Sequence, residues 1–350
     1  VRIHLIAPPQ TQTTKAYSLD GFTIATIRFS RMMKSLGYYV ILYASEENEA
    51  PCDELVTILT NAEQKKLLGN GLYQYAGAEN NWPLWKRSNE RTIPEVRKRK
   101  QPRDIICTIG GTSQKQISDS NKDLMCVEYS IGYTGCFAPY RVYQSQSWRH
   151  YLHGKQNMED GRFFDAVIPY FFDPSEYTCR ETREPFALYV GRLTPRKGIG
   201  VACEAAKLAG VPLKVIGHGD KSLVTHGADY LGALPDDERN DYLSRASCLI
   251  CPTLYLEPFG SMAVEAMMSG CPVVCTDFGA FTETVEQGKT GARCSTLGEF
   301  SSAISRMGYY DPKVIRRHAI TNFSMEAVTQ AYFQYFNRLQ LLWGDGWRSV

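Results

Sequence analysis

Along this 350-residue chain the apolar and polar positions repeat one pattern: a short apolar run, a loop punctuated by glycine or proline, then an amphipathic stretch. Ile3-His4-Leu5-Ile6-Ala7 predicts a strand. Phe22, Ala25, Phe29, Met32 and Leu36 mark one face of a helix that Gly37 closes, and Tyr39-Val40-Ile41-Leu42-Tyr43 predicts the next strand. This strand–helix–strand order belongs to a parallel sheet. Positions 104–113 read as a strand running into a ligand-facing turn, and 124–129 as another. In the second half, strands are expected at 187–190, 213–216, 229–232, 248–251 and 272–276, with an Ala-rich helix at 201–209.

Two loops of the second half carry candidate chemistry. Glu257-Pro258-Phe259-Gly260-Ser261-Met262-Ala263-Val264-Glu265 holds two carboxylates across an expected loop-to-helix junction. Pro258 and Gly260 break the preceding strand, Ser261 is the expected N-cap, and Gly270 ends the helix. Free amides at a helix start attract phosphate through the positive end of the dipole, leaving the flanking carboxylates for sugar hydroxyls. Upstream, the 187–190 strand runs into Gly191-Arg192-Leu193-Thr194-Pro195-Arg196-Lys197-Gly198. Glycine lets backbone approach a ligand, while Arg192 as a planar fork and Lys197 as a mobile point charge suit a diphosphate. Arg196 reads as a solvated neighbour.

The nonapeptide resembles the E-x7-E signature of retaining glycosyltransferase family 4, and the upstream loop is similar to that family's G-R-x-x-x-x-K-G stretch. The resemblance covers most of the second half. It implies that Glu257 contacts the donor hexose, the amides of Phe259, Gly260 and Ser261 contact sugar and phosphate, and Glu265 holds the ribose hydroxyls. It gives the diphosphate to Arg192 and Lys197 beside Gly191, brings Gly217 and Gly219 close to the nucleotide, and places backbone around Leu231 at the base. In the first half the family has a Gly-rich turn facing donor phosphates where this chain has Asp20-Gly21-Phe22-Thr23, so Gly21 and Phe22 are candidates for that contact. Where many members carry a histidine, this chain offers Glu128, read as an acceptor-activating base or sugar contact, or as a structural carboxylate. His218 reads as a loop residue and Glu283 as a helix N-terminal acid. The first half's overall pattern also resembles family 4 enzymes of bacterial viruses.

The implied fold class is α/β in the GT-B arrangement: two facing Rossmann-like domains, 1–172 on the acceptor side and 173–324 binding the nucleotide sugar, with 325–350 a helix returning to the first domain. The implied activity is retaining hexosyl or pentosyl transfer from a nucleoside-diphosphate sugar, a UDP-sugar foremost. A sugar-nucleotide epimerase or phosphorylase of the same fold, or a non-catalytic nucleic-acid-binding module, are the competing classes.

Composition narrows this further. Net charge is only +2, the eleven cysteines lack disulfide or zinc-like spacing, and no run approaches a membrane span, so a cytoplasmic enzyme is expected. Cys248-x-x-Cys251 reads as core. No Asp-x-Asp occurs, which points to metal-independent transfer. Between Trp82 and Arg103, Lys86, Arg87, Arg91, Arg97, Lys98, Arg99, Lys100 and Arg103 face only Glu90 and Glu95, with Trp82, Trp85 and three prolines interleaved. Proline argues against one long helix, so a basic loop or a short helix within one is expected. It reads either as a solvated insertion or as a contact to DNA or an acidic glycan, with a hydroxymethylated DNA base as leading acceptor and an envelope or exopolysaccharide glycan next.

Overall fold

The computed structural model describes residues 1–17, 20–68 and 83–345. Contacts divide the chain into two compact units: Val1–Gln144 with Gln156–Ile168 and Thr329–Val350, and Ser145–Lys155 with Pro169–Val328. The elements of the first half are β1 (Arg2–Ile6), α1 (Gly21–Ser35), β2 (Tyr39–Ser45), β3 (Glu54–Leu59), α2 (Asn61–Leu68), α3 (Pro83–Arg99), β4 (Ile105–Thr108), α4 (Lys115–Asp119), β5 (Met125–Ile131), β6 (Tyr140–Tyr143), α5 (Gln146–Lys155) and β7 (Asp165–Val167). They are followed by β8 (Glu184–Val190), α6 (Ile199–Ala209), β9 (Leu213–Ile216), β10 (Asp229–Gly232), α7 (Asp236–Arg245), β11 (Ala246–Cys251), α8 (Ser261–Met268), β12 (Val273–Thr276), α9 (Phe281–Thr284), β13 (Gly291–Cys294), α10 (Leu297–Ser305), α11 (Pro312–Phe323) and α12 (Met325–Asp345).

Among the described residues the first unit is built on a seven-stranded sheet, order β3-β2-β1-β4-β5-β6-β7. Every recorded pairing in it is parallel. Strand β1 sits centrally because Ile3, Leu5 and Ile6 are all buried, as the unbroken apolar run requires of a strand covered on both faces. Helix α1 starts where Asp20 accepts from the Phe22 and Thr23 amides, and it buries Ala25, Phe29, Met32 and Met33. Phe29 stacks on Tyr129 at 3.9 Å between centroids and meets Tyr332 of α12 edge-on at 5.5 Å. Tyr332, Tyr335, Phe336 and Leu339 of α12 are therefore part of this unit's core.

Helix α3 corrects the expectation of a basic loop or short helix. It is one 17-residue helix that runs through Pro94. An interior proline costs about 3 kcal/mol. Burying Leu84, Trp85 and Val96 offsets that, at about 1.5–3 kcal/mol for each large apolar side chain. Trp85 is a core residue and not a stacking platform, and Trp82 lies outside the described residues.

Several of the cations in this segment are held within the fold. Arg91 pairs with Glu63, and Arg99 pairs with both Glu54 and Glu95. Lys100 reaches Asp123 at 2.6 Å, while Arg97 donates to the Ser120 carbonyl at 3.1 Å and Arg103 to the Gln340 carbonyl at 2.6 Å. The Arg91 guanidinium holds the Glu63 carboxyl down at about 2. Apart from Glu95, the acids that pair with these cations come from distant sequence, so local charge counting misses Glu54, Glu63 and Asp123.

The second unit carries a six-stranded parallel sheet, order β10-β9-β8-β11-β12-β13. Helix α6 buries Ala202, Cys203, Ala205 and Ala206 in a core with Tyr189, Val215, Ile250 and Phe300. Small alanine side chains let helix and sheet approach closely. Helix α5 follows β6 in sequence yet belongs to this unit, as do residues Pro169–Val328. Both units are thus α/β with parallel, Rossmann-like sheets, as the strand–helix alternation predicts.

Candidate functional site

The second-half candidates lie in the second unit: Gly191, Arg192, Lys197, Gly217, Gly219, Glu257, Phe259 and Gly260 on loops that leave the carboxyl ends of its strands, where open parallel sheets bind ligands, Ser261 and Glu265 on α8, and Leu231 within β10. After β8 the chain passes Gly191 and Arg192 into a single turn at Pro195–Lys197, and Gly198 starts α6. Gly198 has φ +72°, and a Cβ there would lie 1.9 Å from the Pro252 carbonyl oxygen. The loop after β9 is equally close: a Cβ on Gly217 would lie 1.8 Å from the Gly191 carbonyl oxygen. The Leu193 amide donates to the His218 carbonyl at 2.8 Å, and the Leu254 amide to the Arg196 carbonyl at 2.9 Å. Glycine therefore welds the loops bearing Gly191, Gly217, Gly219 and Glu257 into one block.

Lys197 and Glu257 meet inside that block, Nζ to Oε2 at 2.9 Å, with side chains only 21% and 15% exposed. Lys197 also lies over the Tyr255 ring at 5.0 Å, and the Arg196 guanidinium covers the same ring at 4.7 Å. Burial pulls the Lys197 ammonium's pKa down, but the Glu257 carboxylate and Tyr255 outweigh it and the net direction is up. Arg192 is exposed beside them, its carbonyl accepting from the Tyr189 hydroxyl at 3.0 Å.

The helix start differs from expectation. Ser261 is the first residue of α8 and not its cap; Gly260 holds that place at φ +80°, where a Cβ would strike the Phe281 ring at 2.6 Å. With no side chain to cap the helix, the amides of Phe259, Gly260 and Ser261 have no acceptor among the described residues. Orphan amides at the positive end of a helix dipole form an anion site. The Phe259 ring is core, packed against Phe172 and Phe323, which fixes the backbone that presents those amides.

Two partners escape a reading of the sequence. Arg239 on α7 forks between Glu265 (2.9 Å) and Asp236 (2.7 Å), so Glu265 is paired with a largely buried guanidinium. Glu283 does not serve its own helix. Its carboxylate accepts from the amides of Gln146 and Ser147, both at 2.8 Å, and so caps α5, while Ser145 Oγ donates to the Pro258 carbonyl at 2.7 Å. The Ala280 amide donates to the Glu257 carbonyl at 3.2 Å. Both links join segments far apart in sequence, and the only local signal was an acid and a serine in ordinary positions.

The remaining candidates are less available. Leu231 falls at the irregularity in the β9–β10 register, between Tyr230 and Gly232, which frees its backbone from the ladder. In the first unit the Phe22 amide is already taken by Asp20 at 2.8 Å, which puts a carboxylate where a phosphate was expected. Gly21 is exposed just before it, and nothing would obstruct a Cβ there. Glu128 is fully buried, accepting from the Phe137 and Ala138 amides at 2.8 Å each and from the Tyr133 hydroxyl at 3.2 Å. Burial raises its pKa against those hydrogen bonds. It clamps the 133–138 turn, which is the structural alternative.

Cys248 and Cys251 are buried strand thiols, and burial pushes Cys251 up to about 12. Among the described residues no group of three or more His, Cys, Asp or Glu could hold a metal ion, and no helix is long and apolar enough to cross a membrane.

Solved structures share this fold along the chain. A glycosyltransferase involved in avilamycin A biosynthesis, AviGT4, superposes with a TM-score of 0.70 over 97% of this chain and 98% of its own, at 17% identity. Anabaena Alr3699/HepE, solved in complex with UDP and glucose, gives a TM-score of 0.65 over 96% and 99%, at 14% identity. The fold class is therefore GT-B, built from two Rossmann-like units. Residues 178–301 match the family described as glycosyl transferases group 1. Phosphatidyl-myo-inositol mannosyltransferase of Propionibacterium freudenreichii subsp. shermanii is 36% identical over 120 residues, 32% of this chain and 31% of that protein. The chain spans about a third of the length of the curated relatives it matches.

Proposed function

We propose that the chain is a retaining glycosyltransferase of the family 4 type, moving a hexosyl or pentosyl group from a nucleoside-diphosphate sugar, foremost a UDP-sugar, to an acceptor hydroxyl. The observation that carries this reading is the orphan-amide start of α8 flanked by the Lys197–Glu257 and Arg239–Glu265 pairs. One loop thus offers anion-binding amides between two fixed carboxylates. The UDP and glucose bound to the Anabaena neighbour and the group 1 match support it.

In this mechanism the bond from the sugar's C1 to the diphosphate breaks with its electron pair going to the phosphate oxygen. Lys197, Arg192 and the amides of Gly260 and Ser261 stabilise that charge. The acceptor oxygen bonds to C1 on the same face, and its proton passes to the departing diphosphate. Glu257 orients the hexose, and Glu265 anchors the ribose.

For the acceptor we favour a carbohydrate or polyol hydroxyl, such as an envelope or exopolysaccharide glycan. The DNA acceptor draws on the basic, aromatic-containing 82–103 segment and on the resemblance to enzymes of bacterial viruses, and Arg91, Arg99 and Lys100 of that segment are paired within the fold. The test is to incubate wild type and Lys197→Ala with a panel of sugar nucleotides and either glycan or hydroxymethylpyrimidine DNA. Nucleoside-diphosphate release is followed by chromatography and transfer by mass spectrometry. Release by wild type and not by the variant is expected; no release from any donor overturns the proposal, and a hexose on a DNA base restores the DNA acceptor.

A further inference from the structure

Arg239 lies outside the two motifs, yet it is a doubly paired cation beside the candidate site. It lies on the first turns of α7, in the segment Asp236-Asp237-Glu238-Arg239. Its two terminal nitrogens are spent on Asp236 Oδ1 and Glu265 Oε2, and its side chain is 12% exposed. The Nε–H is buried with no hydrogen-bond partner. A guanidinium placed so deep costs several kcal/mol of desolvation, which a pair of carboxylates recovers only when geometry is fixed. Asp236 alone would serve to hold the helix turn, being three residues away. The reach to Glu265 therefore asks for a second purpose.

We infer that Arg239 is a positioning residue for the nucleotide: its guanidinium locks the Glu265 carboxylate in one rotamer, so that it accepts from the ribose hydroxyls of the donor. This rests on the donor-site reading above and extends it. A carboxylate free to rotate would have to be ordered by each incoming ribose, whereas one already held by a planar fork is ordered before binding. The guanidinium's own charge is neutralised by two acids, so it adds little direct attraction for phosphate. The effect is therefore confined to ligands that carry the hydroxyls Glu265 accepts. Burial works against the Arg239 charge, and the Glu265 and Asp236 carboxylates outweigh it, so the net direction of its pKa is up.

The experiment is calorimetric titration of the full chain with UDP and with 2′-deoxy-UDP, for wild type, Arg239→Gln, Arg239→Lys, Glu265→Gln and the double Arg239→Gln/Glu265→Gln. Wild type should prefer UDP over 2′-deoxy-UDP by about 10-fold, equivalent to about 1.4 kcal/mol. Arg239→Gln should weaken UDP about 10-fold while weakening 2′-deoxy-UDP, which keeps only the 3′ hydroxyl, by clearly less, and the double variant should be no worse than Glu265→Gln. Arg239→Lys keeps the charge without the fork, holds the fold if Arg239→Gln does not, and should lose most of the same preference. Equal weakening of both ligands in the Arg239 variants, or none, overturns the inference. Full ribose preference in Glu265→Gln overturns the donor-site reading itself, whatever Arg239 does.

Discussion

The close approach of the donor loops can be tested with two alanines at opposite ends of one helix. Gly198 and Gly210 flank α6 with nearly the same backbone, φ +72° and +68°. An L-residue in that left-handed region costs about 1–2 kcal/mol, part of which is returned by about 0.4–1 kcal/mol from the stiffer unfolded chain. Gly210→Ala adds nothing more, since no atom lies within 4 Å of the new Cβ. Gly198→Ala places its Cβ 1.9 Å from the Pro252 carbonyl oxygen. An ordinary C···O approach is about 3.3 Å, so the 252–257 segment must retreat by roughly 1.4 Å. That segment ends in Glu257. A displacement of about 1 Å costs on the order of 100-fold in rate, and the forced shift adds about 1–3 kcal/mol of instability. Urea denaturation followed by initial rates of nucleoside-diphosphate release measures both. Gly210→Ala should lose about 1 kcal/mol and keep wild-type turnover, while Gly198→Ala should lose about 2–4 kcal/mol and about 100-fold in rate. Rates within threefold of each other would refute the reasoning.

Other perturbations separate the remaining parts. The Lys197–Glu257 contribution to stability should be fully present below the ordinary lysine value of 10.5 and disappear only as pH rises through the raised pKa, because the folded state holds the proton more tightly. The unfolding free-energy difference between wild type and Lys197→Met, measured by urea titration, should accordingly stay flat from about pH 6 to 9 and narrow above about 10.5. Glu283→Ala uncaps α5 and should lower stability by about 1 kcal/mol and raise the donor KM severalfold; Ser145→Ala should share the KM effect through Pro258, and an unchanged KM in both would dismiss that brace. Replacing Arg99 with alanine breaks two partly exposed pairs and should cost about 1 kcal/mol in thermal unfolding without altering retention on immobilised DNA.

Strand and helix order was legible because apolar runs and cap residues are local signals, as in β1, α1 and the Ala-rich α6. The placement of Arg192, Lys197 and Glu257 on loops after strands, and of Glu265 on the helix that follows, was legible for the same reason. Partners joined through space were not. Glu265 gives no hint of Arg239, twenty-six residues earlier, and Glu283 caps a helix 137 residues earlier. Helix α3 was misjudged because the proline rule is a local cost, whereas the burial of Leu84, Trp85 and Val96 that overrides it is tertiary. Ser261 has the composition of a cap, but the Phe281 ring leaves room only for glycine before it.

A crystal structure of the chain soaked or grown with UDP tests the donor-site reading at its root. The diphosphate is expected within hydrogen-bond distance of the Gly260 and Ser261 amides and of Lys197, with the ribose hydroxyls on Glu265. Density for UDP placed elsewhere in the chain, with the start of α8 left to solvent, would contradict it.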